Sequence, residues 1–332
     1  MREPEFWQRR GTWQASLLKP FALAYGAVAA ARMQRLGARV PVPVLCVGNF
    51  HMGGAGKTQV ALTLARLLRQ MNRTPAFLSR GYGGNLHGPV RVDPMIHTAR
   101  DVGDEPLLLA RAGPTIIARG RAQGAALAIA NGANAIVMDD GFQNPSLQKD
   151  VSLIVVDAAR GLGNGEVFPA GPLRAPLDVQ LSRTDALIVI GERTGADVLI
   201  AQARARGIVL FRANIVADTD AAARLRGQRV LAFTGIGDPM RFFETLRNLG
   251  ADVFATKTFA DHHMFSVEEL QALVTRAGRD GLALVTTEKD MARIVSDTHF
   301  RDFAAQITAL PVNLAFADET AFAAFIATRL KD

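Results

Sequence analysis

The strongest restriction on how this chain folds is a glycine-rich loop that joins an apolar run to a helical period. The apolar run covers residues 42–47, and apolar side chains then recur at helical spacing over residues 57–71. Between them stands Gly-Gly-Ala-Gly-Lys-Thr, residues 53–58. A loop of this kind, leaving a strand and opening a helix, turns its backbone N–H groups onto phosphates at the positive end of the helix. The sequence therefore predicts a phosphate-binding loop; the alternative is an ordinary glycine-rich helix N-terminus.

Within this loop the expected roles follow from side-chain chemistry. We expect the Lys57 ammonium to reach the β- and γ-phosphates of a nucleotide and the Thr58 hydroxyl to hold Mg²⁺. One position departs from the usual G-x-x-x-x-G-K-T pattern, because His51 replaces the first glycine. The residues expected to surround the nucleotide phosphates are His51, Met52, Gly53, Gly54, Ala55, Gly56, Lys57 and Thr58.

Apolar runs and helical stretches alternate along the rest of the chain. The predicted strands up to residue 190 are Ala76–Leu78, Ile116–Ile117, Ala135–Met138, Val151–Val156 and Ala186–Ile190. Such alternation is typical of βαβ units around a parallel sheet with helices on both faces. A second set of strands and helices begins near Arg229, and 332 residues suit two domains. We therefore predict an α/β fold with two Rossmann-like domains, the first of the P-loop NTPase type. The predicted divisions are an N-terminal helical segment at 1–39, the P-loop domain at 40–213, a linker at 214–228 and a smaller domain at 229–332.

The distribution of charge favours a membrane surface over nucleic acid as a partner. The net charge is +7, and residues 1–40 carry seven basic side chains against two acidic ones. A nucleic-acid-binding domain would spread basic residues over its folded surface, whereas here the remainder is nearly balanced. Next to this basic end lies the uncharged stretch Pro20–Ala31, which is too short to span a bilayer. We expect an interfacial helix; the alternative is a helix packed on the protein body. A single cysteine, Cys46, excludes an internal disulfide and a cysteine-based zinc site, and favours a cytosolic-facing protein.

Two acidic pairs are candidates for chemistry. Asp139 and Asp140 end an apolar strand, which is the Walker B arrangement, and adjacent carboxylates are best tolerated beside a cation such as Mg²⁺. The alternative for this pair is a simple turn. Asp104 and Glu105 precede an apolar helical run, and a helix N-cap would explain them equally well.

Further along the chain, Phe-Ala-Asp-His-His, residues 259–263, follows a predicted strand. One catalytic histidine oriented by a carboxylate suits this segment better than a metal site, because neighbouring side chains on a strand point to opposite faces. A surface loop is the alternative. Two Gly- and Pro-rich stretches, residues 79–84 and 163–174, lie where loops of an α/β sheet bind ligands, or are plain connections.

Taken together, these motifs resemble those of the tetraacyldisaccharide 4′-kinases of lipid A synthesis. The resemblance rests on seven stretches in the same order over nearly the whole chain. They are Val-Gly-Asn before the glycine loop, Ser-Arg-Gly-Tyr-Gly-Gly, Val-Gly-Asp-Glu-Pro, Asp-Asp-Gly-Phe-Gln, Gly-Asn-Gly with Pro-Ala-Gly-Pro-Leu-Arg, Phe-Ala-Asp-His-His and Thr-Glu-Lys-Asp.

The resemblance implies an ATP- and Mg²⁺-dependent kinase that phosphorylates the 4′-hydroxyl of a tetraacylated glucosamine disaccharide 1-phosphate. It also implies peripheral association with the cytoplasmic face of the inner membrane. No nucleic acid and no obligate protein partner are expected. The competing hypothesis is a membrane-associated deviant P-loop ATPase switch with no phosphorylated small-molecule substrate. Such switches carry a lysine at the position of Met52, which counts against that alternative.

The resemblance also assigns roles to individual residues. It implies that Asp104 is the base, paired with His262, and that Glu105 and Asp139 join Thr58 around Mg²⁺. The implied substrate residues are Arg80, Tyr82, Gln143, Asn164 and Arg174. The sequence departs from the usual family pattern at His51, Gln59 and Ala175.

Overall fold

A computed structural model describes residues 3–54 and 56–330. In this part of the chain the strands form two sheets. The first contains β1 (Val44–Gly48), β2 (Pro75–Ser79), β3 (Val90–Arg91), β4 (Thr115–Ile117), β5 (Ala135–Asp139), β6 (Val151–Asp157), β7 (Ala186–Ile190), β8 (Val209–Ala217) and β13 (Val312–Phe316). The second contains β9 (Arg229–Thr234), β10 (Asp252–Thr258), β11 (Ala283–Thr287) and β12 (Ile307–Leu310).

Helices connect most of these strands. They are α1 (Trp13–Met33), α2 (Lys57–Gln70), α3 (Ala99–Val102), α4 (Asp104–Ala112), α5 (Arg121–Ala130), α6 (Leu177–Leu181), α7 (Asp197–Ala205), α8 (Thr219–Leu225), α9 (Pro239–Asn248), α10 (Val267–Asp280), α11 (Glu288–Val295), α12 (Arg301–Ala304) and α13 (Glu319–Arg329). Short 3₁₀ turns cover Glu5–Gln8 and Thr298–Phe300.

The first sheet has the order β13-β8-β7-β6-β1-β5-β2-β4-β3, and it is parallel except for its two edge pairs. Its central strands are buried on both faces, which explains their continuous apolar character. In β1, Val44 and Cys46 pack into the core on one face, whereas Leu45 and Val47 pack into the core on the other. The parallel order places the carboxyl ends of β1, β5 and β6 side by side. The predicted α/β fold with a P-loop-type sheet is confirmed.

The predicted division into domains stays a prediction, and two features of the structure bear on it. Residues 214–228 are not a simple linker, because they hold the end of β8 and the helix α8. In β8, buried Phe211 and Ala213 alternate with exposed Arg212 and Asn214. The end of this strand is short within 214–228, and its exposed face includes Asn214, so the segment lacks the continuous apolar run of a strand that is buried on both faces.

The C-terminal residues also return to the first domain. Strand β13 pairs antiparallel with β8, and Phe322 and Ile326 of α13 pack into the same core as Leu64 of α2. The first sheet therefore includes β13, and the second sheet, with the parallel order β10-β9-β11-β12, is formed by residues that lie between β8 and β13 in the chain.

Helix α1 contains the predicted apolar stretch and lies on the first domain through its small residues. Ala15, Ala22 and Gly26 are buried, and a β-carbon on Gly26 would lie 3.5 Å from Pro176. Across residues 3–54 and 56–330, no helix combines the length and the apolar character that a membrane span needs.

Candidate active site

The glycine-rich loop lies between β1 and α2, as the sequence predicts. Gly56 has φ 85° and a β-carbon on it would lie 2.6 Å from Ile190, so only glycine fits at the start of α2. The Asn49 side chain donates to the carbonyl of Gly53 over 2.8 Å and thereby fixes the entry of the loop. Lys57 and Thr58 follow at the first turn of α2, and both are buried. Ala55 lies outside the described residues.

His51 is fully buried at the beginning of this loop. Its Nδ1 donates to the carbonyl of Met52 over 2.8 Å, and its backbone bridges to Leu173. Burial, with the nearby Arg160 charge, lowers the pKa of His51 to about 3. The imidazole is therefore neutral and contributes no positive charge to the loop.

Asp139 and Asp140 have different environments at the end of β5. Asp140 accepts a bidentate ion pair from Arg174, at 2.6 and 3.2 Å, and lies 3.6 Å from the Lys57 ammonium. Asp139 is buried, and neither of its carboxylate oxygens has a hydrogen-bond partner among the described residues. Burial and the charges of Glu105 and Asp140 raise the pKa of Asp139 to about 7.

An orphaned buried carboxylate beside a phosphate loop suits a divalent cation. Mg²⁺ is commonly held by one or two carboxylates together with phosphate oxygens. The described residues contain no cluster of three or more His, Cys, Asp or Glu side chains that would hold a metal alone. Glu105, the other predicted acidic ligand, receives an ion pair from Lys289 at 2.6 Å. The donor set of Thr58, Glu105 and Asp139 therefore fits Mg²⁺ that arrives with a nucleotide.

The structure brings Asp104 and His262 together, although they lie 158 positions apart in sequence. Asp104 is buried at the start of α4, and Nδ1 of His262 lies 3.1 and 3.2 Å from its two carboxylate oxygens. His262 lies in the loop after β10 with φ 58°, and its backbone N–H donates to the carbonyl of Gly235. The imidazole edge remains partly exposed beside the ring of Tyr82, at a centroid distance of 5.7 Å.

Hydrogen bonding, rather than burial, sets the charge state of this pair. Burial alone would raise the pKa of Asp104, but the His262 hydrogen bond and the Arg293 guanidinium outweigh it and hold the pKa well below its usual range. The hydrogen bond to Asp104 in turn raises the pKa of His262. The pair therefore behaves as a carboxylate that orients an imidazole and stabilises its protonated form.

Arg293 is a residue of this site that the sequence motifs do not indicate. Its side chain is buried, and it donates from Nε to Asp104 over 3.0 Å and from Nη1 to Asp290 over 2.9 Å. Its Nη2 also donates to the carbonyl of Gly235. Asp290 belongs to the Thr-Glu-Lys-Asp stretch, and a residue three positions later on the same helix lies on the same face. That spacing is the one signal that could have indicated Arg293.

The predicted substrate residues fall into two groups. Arg80 and Tyr82 are exposed in the loop after β2 and are free to meet a ligand. Gln143 donates to the Asn49 carbonyl and to the Gln180 side chain, so it stabilises the backbone that leads into the glycine-rich loop.

Asn164 is used within the protein as well. Its amide nitrogen donates to two backbone carbonyls, of Phe6 and Ala170, and its oxygen accepts from Glu166 N–H. In this structure the backbone fills the hydrogen bonds of the buried Asn164 amide, so its contact with substrate stays a prediction. Arg174 pairs with Asp140, so its meeting an anionic ligand stays a prediction.

The fold and the site together define a class: a P-loop protein with a phosphate loop, a buried carboxylate at Asp139 and an Asp104–His262 pair. Comparison with known proteins narrows the class. A family model described as tetraacyldisaccharide-1-P 4′-kinase matches residues 14–331. The chain belongs to this family, as its motifs predicted.

Individual relatives support the same assignment. The chain is 56% identical over 330 residues to a tetraacyldisaccharide 4′-kinase of Rhodopseudomonas palustris, covering 99% of this chain and 96% of the relative. A protein of the same name from Nitrobacter winogradskyi is 56% identical over 326 residues, covering 98% and 97%. Among solved structures, LpxK from Aquifex aeolicus in complex with ATP matches with a TM-score of 0.73 and 25% identity, covering 96% of this chain and 99% of that one.

Proposed function

We propose that this protein is an ATP- and Mg²⁺-dependent kinase that transfers the γ-phosphate to the 4′-hydroxyl of a tetraacylated glucosamine disaccharide 1-phosphate, a step of lipid A synthesis. The observation that carries the proposal is the Asp104–His262 hydrogen bond beside a phosphate loop. A P-loop protein that only switches its partners needs no such pair directed at a second substrate. The family membership favours the kinase over the ATPase switch as well.

The phosphate loop would hold the nucleotide through its backbone N–H groups and the Lys57 ammonium. The Lys57 ammonium lies 3.6 Å from the Asp140 carboxylate, an ion pair that restricts its position. We assign the Mg²⁺ site to Thr58, Glu105 and Asp139, and when bound the cation would neutralise charge on the phosphate oxygens. Glu105 would exchange its Lys289 partner for this role.

Asp104 and His262 would take up the proton of the sugar hydroxyl. The exposed edge of the imidazole lies toward Tyr82, whereas Asp104 is covered by α11 of the second domain. The pair would accept the proton as the hydroxyl oxygen attacks, and it would be returned to solvent after transfer. Because His262 comes from the second domain and the phosphate loop from the first, closure of the two domains would exclude water from the reaction.

A measurement of label transfer distinguishes the kinase from the ATPase. With γ-³²P-labelled ATP and the acylated disaccharide 1-phosphate in mixed micelles, we expect the label in the lipid fraction and little in free phosphate. Lys57→Ala should lower transfer by two or more orders of magnitude while the protein stays folded. Label that appears only as free phosphate, with lipid present, would support the switch instead.

We also propose that the protein works at an anionic membrane surface through α1, on the cytoplasmic face of the inner membrane. One side of α1 presents large apolar side chains to solvent: Trp13, Leu17, Phe21, Leu23 and Val28 are each at least 66% exposed. Exposed basic residues lie before α1, in its last turn and after it, among them Arg9, Arg10, Arg32 and Arg35. Apolar insertion combined with basic flanks is the pattern of an interfacial helix, and it would hold the enzyme where its lipid is.

A further inference from the structure

An ion pair between Glu3 and Arg160 lies directly against the phosphate loop. The two side chains are joined by a charge-assisted hydrogen bond, and both are half-buried. A β-carbon on Gly53 would lie 2.6 Å from Oε1 of Glu3 and 2.7 Å from Nη1 of Arg160. Gly53 is one of the loop residues whose N–H groups would face phosphates. A guanidinium and a carboxylate therefore lie against Gly53 of the phosphate loop.

The position of Arg160 is fixed by the turn that carries it. Strand β6 ends at Asp157, whose Oδ1 accepts from the backbone N–H groups of Ala159 and Arg160. Oδ2 of the same carboxylate accepts from Arg241 of α9 over 2.8 Å. Because β6 neighbours β1 in the sheet, this turn stands beside the glycine loop. The backbone of Arg160 is therefore held at the carboxyl end of β6 by hydrogen bonds to Asp157.

Arg160 differs from the other basic residues around the loop in the acidic residue with which it pairs. Arg174 and Lys57 are matched by Asp140, Lys289 by Glu105, and Arg293 by Asp104 and Asp290. Arg160 has one acidic side chain within ion-pair distance among residues 3–54 and 56–330, and that is Glu3. Its Nε is buried without a hydrogen-bond partner in the same part of the chain.

The partner of Arg160 comes from the N-terminal segment that precedes α1. Glu3 is held there by its neighbours, since the backbone of Trp7 accepts from Asn164 and the Trp7 indole donates to Pro169. A guanidinium binds carboxylate and phosphate through the same planar fork of N–H donors. The Glu3 carboxylate therefore occupies a donor set that a phosphate would also satisfy.

We propose that Arg160 is a further ligand of the nucleotide phosphates, and that Glu3 is its counter-ion in the nucleotide-free protein. This inference rests on the proposed function, because it requires a nucleotide at the loop. It assigns Glu3 a competing role, in which the carboxylate leaves Arg160 when the triphosphate binds. Removal of the Glu3 carboxylate should therefore strengthen nucleotide binding, although it removes an ion pair from the nucleotide-free protein.

The test measures binding of the non-hydrolysable ATP analogue AMP-PNP with Mg²⁺ by isothermal titration calorimetry, without lipid. We expect Glu3→Gln to tighten binding about threefold or more, and Arg160→Ala to weaken it tenfold or more. Arg160→Lys, which keeps the charge and loses the fork, should lie between Arg160→Ala and the unsubstituted protein. The double variant should bind like Arg160→Ala, because Glu3 acts only through Arg160.

Glu5→Gln is the matched control. Glu5 lies two positions after Glu3, and its side chain is exposed, so the substitution removes the same charge from a different place. If Glu3→Gln and Glu5→Gln tighten binding equally, the gain in affinity comes from the change in net charge and not from the Glu3–Arg160 pair, and the inference is wrong. If the Arg160 variants lower the melting temperature but bind AMP-PNP like the unsubstituted protein, the ion pair only stabilises the fold, which also overturns it. Failure of the unsubstituted protein itself to bind AMP-PNP would instead contradict the proposed function.

Discussion

Asp139 is a carboxylate in an environment that opposes its charge. It is buried and lacks hydrogen-bond partners among the described residues. Burial, together with the charges of Glu105 and Asp140, raises its pKa to about 7. In the metal-free protein, the folded state binds a proton more tightly than the unfolded state does. Stability from this group is therefore present at low pH and is lost as the pH rises from about 4 to about 7.

Asp139→Asn should remove this dependence. We expect the melting temperature of the variant, relative to the unsubstituted protein, to increase by several degrees between pH 5 and pH 8 in the absence of metal. Mg²⁺ with AMP-PNP should stabilise the unsubstituted protein more than the variant, since the variant lacks the anionic ligand. Melting curves across pH test both statements. A difference between the two proteins that does not change with pH would contradict the assignment of Asp139.

Arg293 holds two buried carboxylates from two parts of the chain. Its removal would leave Asp104 and Asp290 in the interior without their counter-charge. We therefore expect Arg293→Ala to lower the free energy of unfolding by about 3–5 kcal/mol, measured by urea titration. Arg293→Lys should cost less, because it keeps the charge. Arg279→Ala is the control, since Arg279 forms an exposed ion pair with Asp280 and its loss should leave the midpoint nearly unchanged. Equal losses for the two alanine variants would show that the buried network does not stabilise the fold.

Among the elements, α1 has two faces of different character. Its small residues lie against the first domain, and its large apolar residues face solvent. Leu17→Ser with Phe21→Ser should therefore weaken sedimentation with anionic vesicles without lowering the melting temperature. Val198→Ser with Met240→Ser is a matched control, because both residues are exposed apolar side chains on other helices. If the control loses as much vesicle binding as the α1 variant, the effect is not specific to this helix.

The basic flanks of α1 make a separate contribution that salt can screen. Replacing Arg9, Arg10, Arg32 and Arg35 with Gln should reduce binding to anionic vesicles and leave binding to neutral vesicles nearly unchanged. High salt should reproduce the loss in the unsubstituted protein. The affinity for AMP-PNP should stay the same, because all four side chains are exposed to solvent. Loss of nucleotide affinity in the Gln variant would mean that the segment supports the folded domain instead.

At this scale the sequence predicts buried elements well and half-exposed ones poorly. Strands β1 and β5 are continuous apolar runs, because both of their faces are covered, and their positions follow directly from composition. Strand β8 exposes alternate residues, and Arg212 and Asn214 interrupt its apolar run, so its end is hard to separate from the polar segment that follows. Strand β13 could not be assigned to the first sheet from its residues, since pairing with β8 depends on the path of the whole chain.

At the scale of the whole molecule, the fold brings together site residues that are distant in sequence. The loop that carries Lys57 could be predicted from local pattern, because its chemistry lies within eight consecutive residues. The contact between Asp104 and His262 could not be derived from spacing, and it was implied only by resemblance to a family. Arg160 and Arg293 were missed for the same physical reason: each acts through a partner distant in sequence, Glu3 in one case and Asp104 in the other.

The central claim is that two domains supply one reaction centre, in which Asp104 and His262 act as a unit. The most direct test is a double-mutant cycle on the rate of lipid phosphorylation, with Asp104→Ala, His262→Ala and the double variant. If the pair acts together, each single change should lower kcat nearly as much as the double change, while AMP-PNP affinity stays within about threefold. Losses in the two single variants that multiply in the double variant would show that the residues act separately, and would contradict the account.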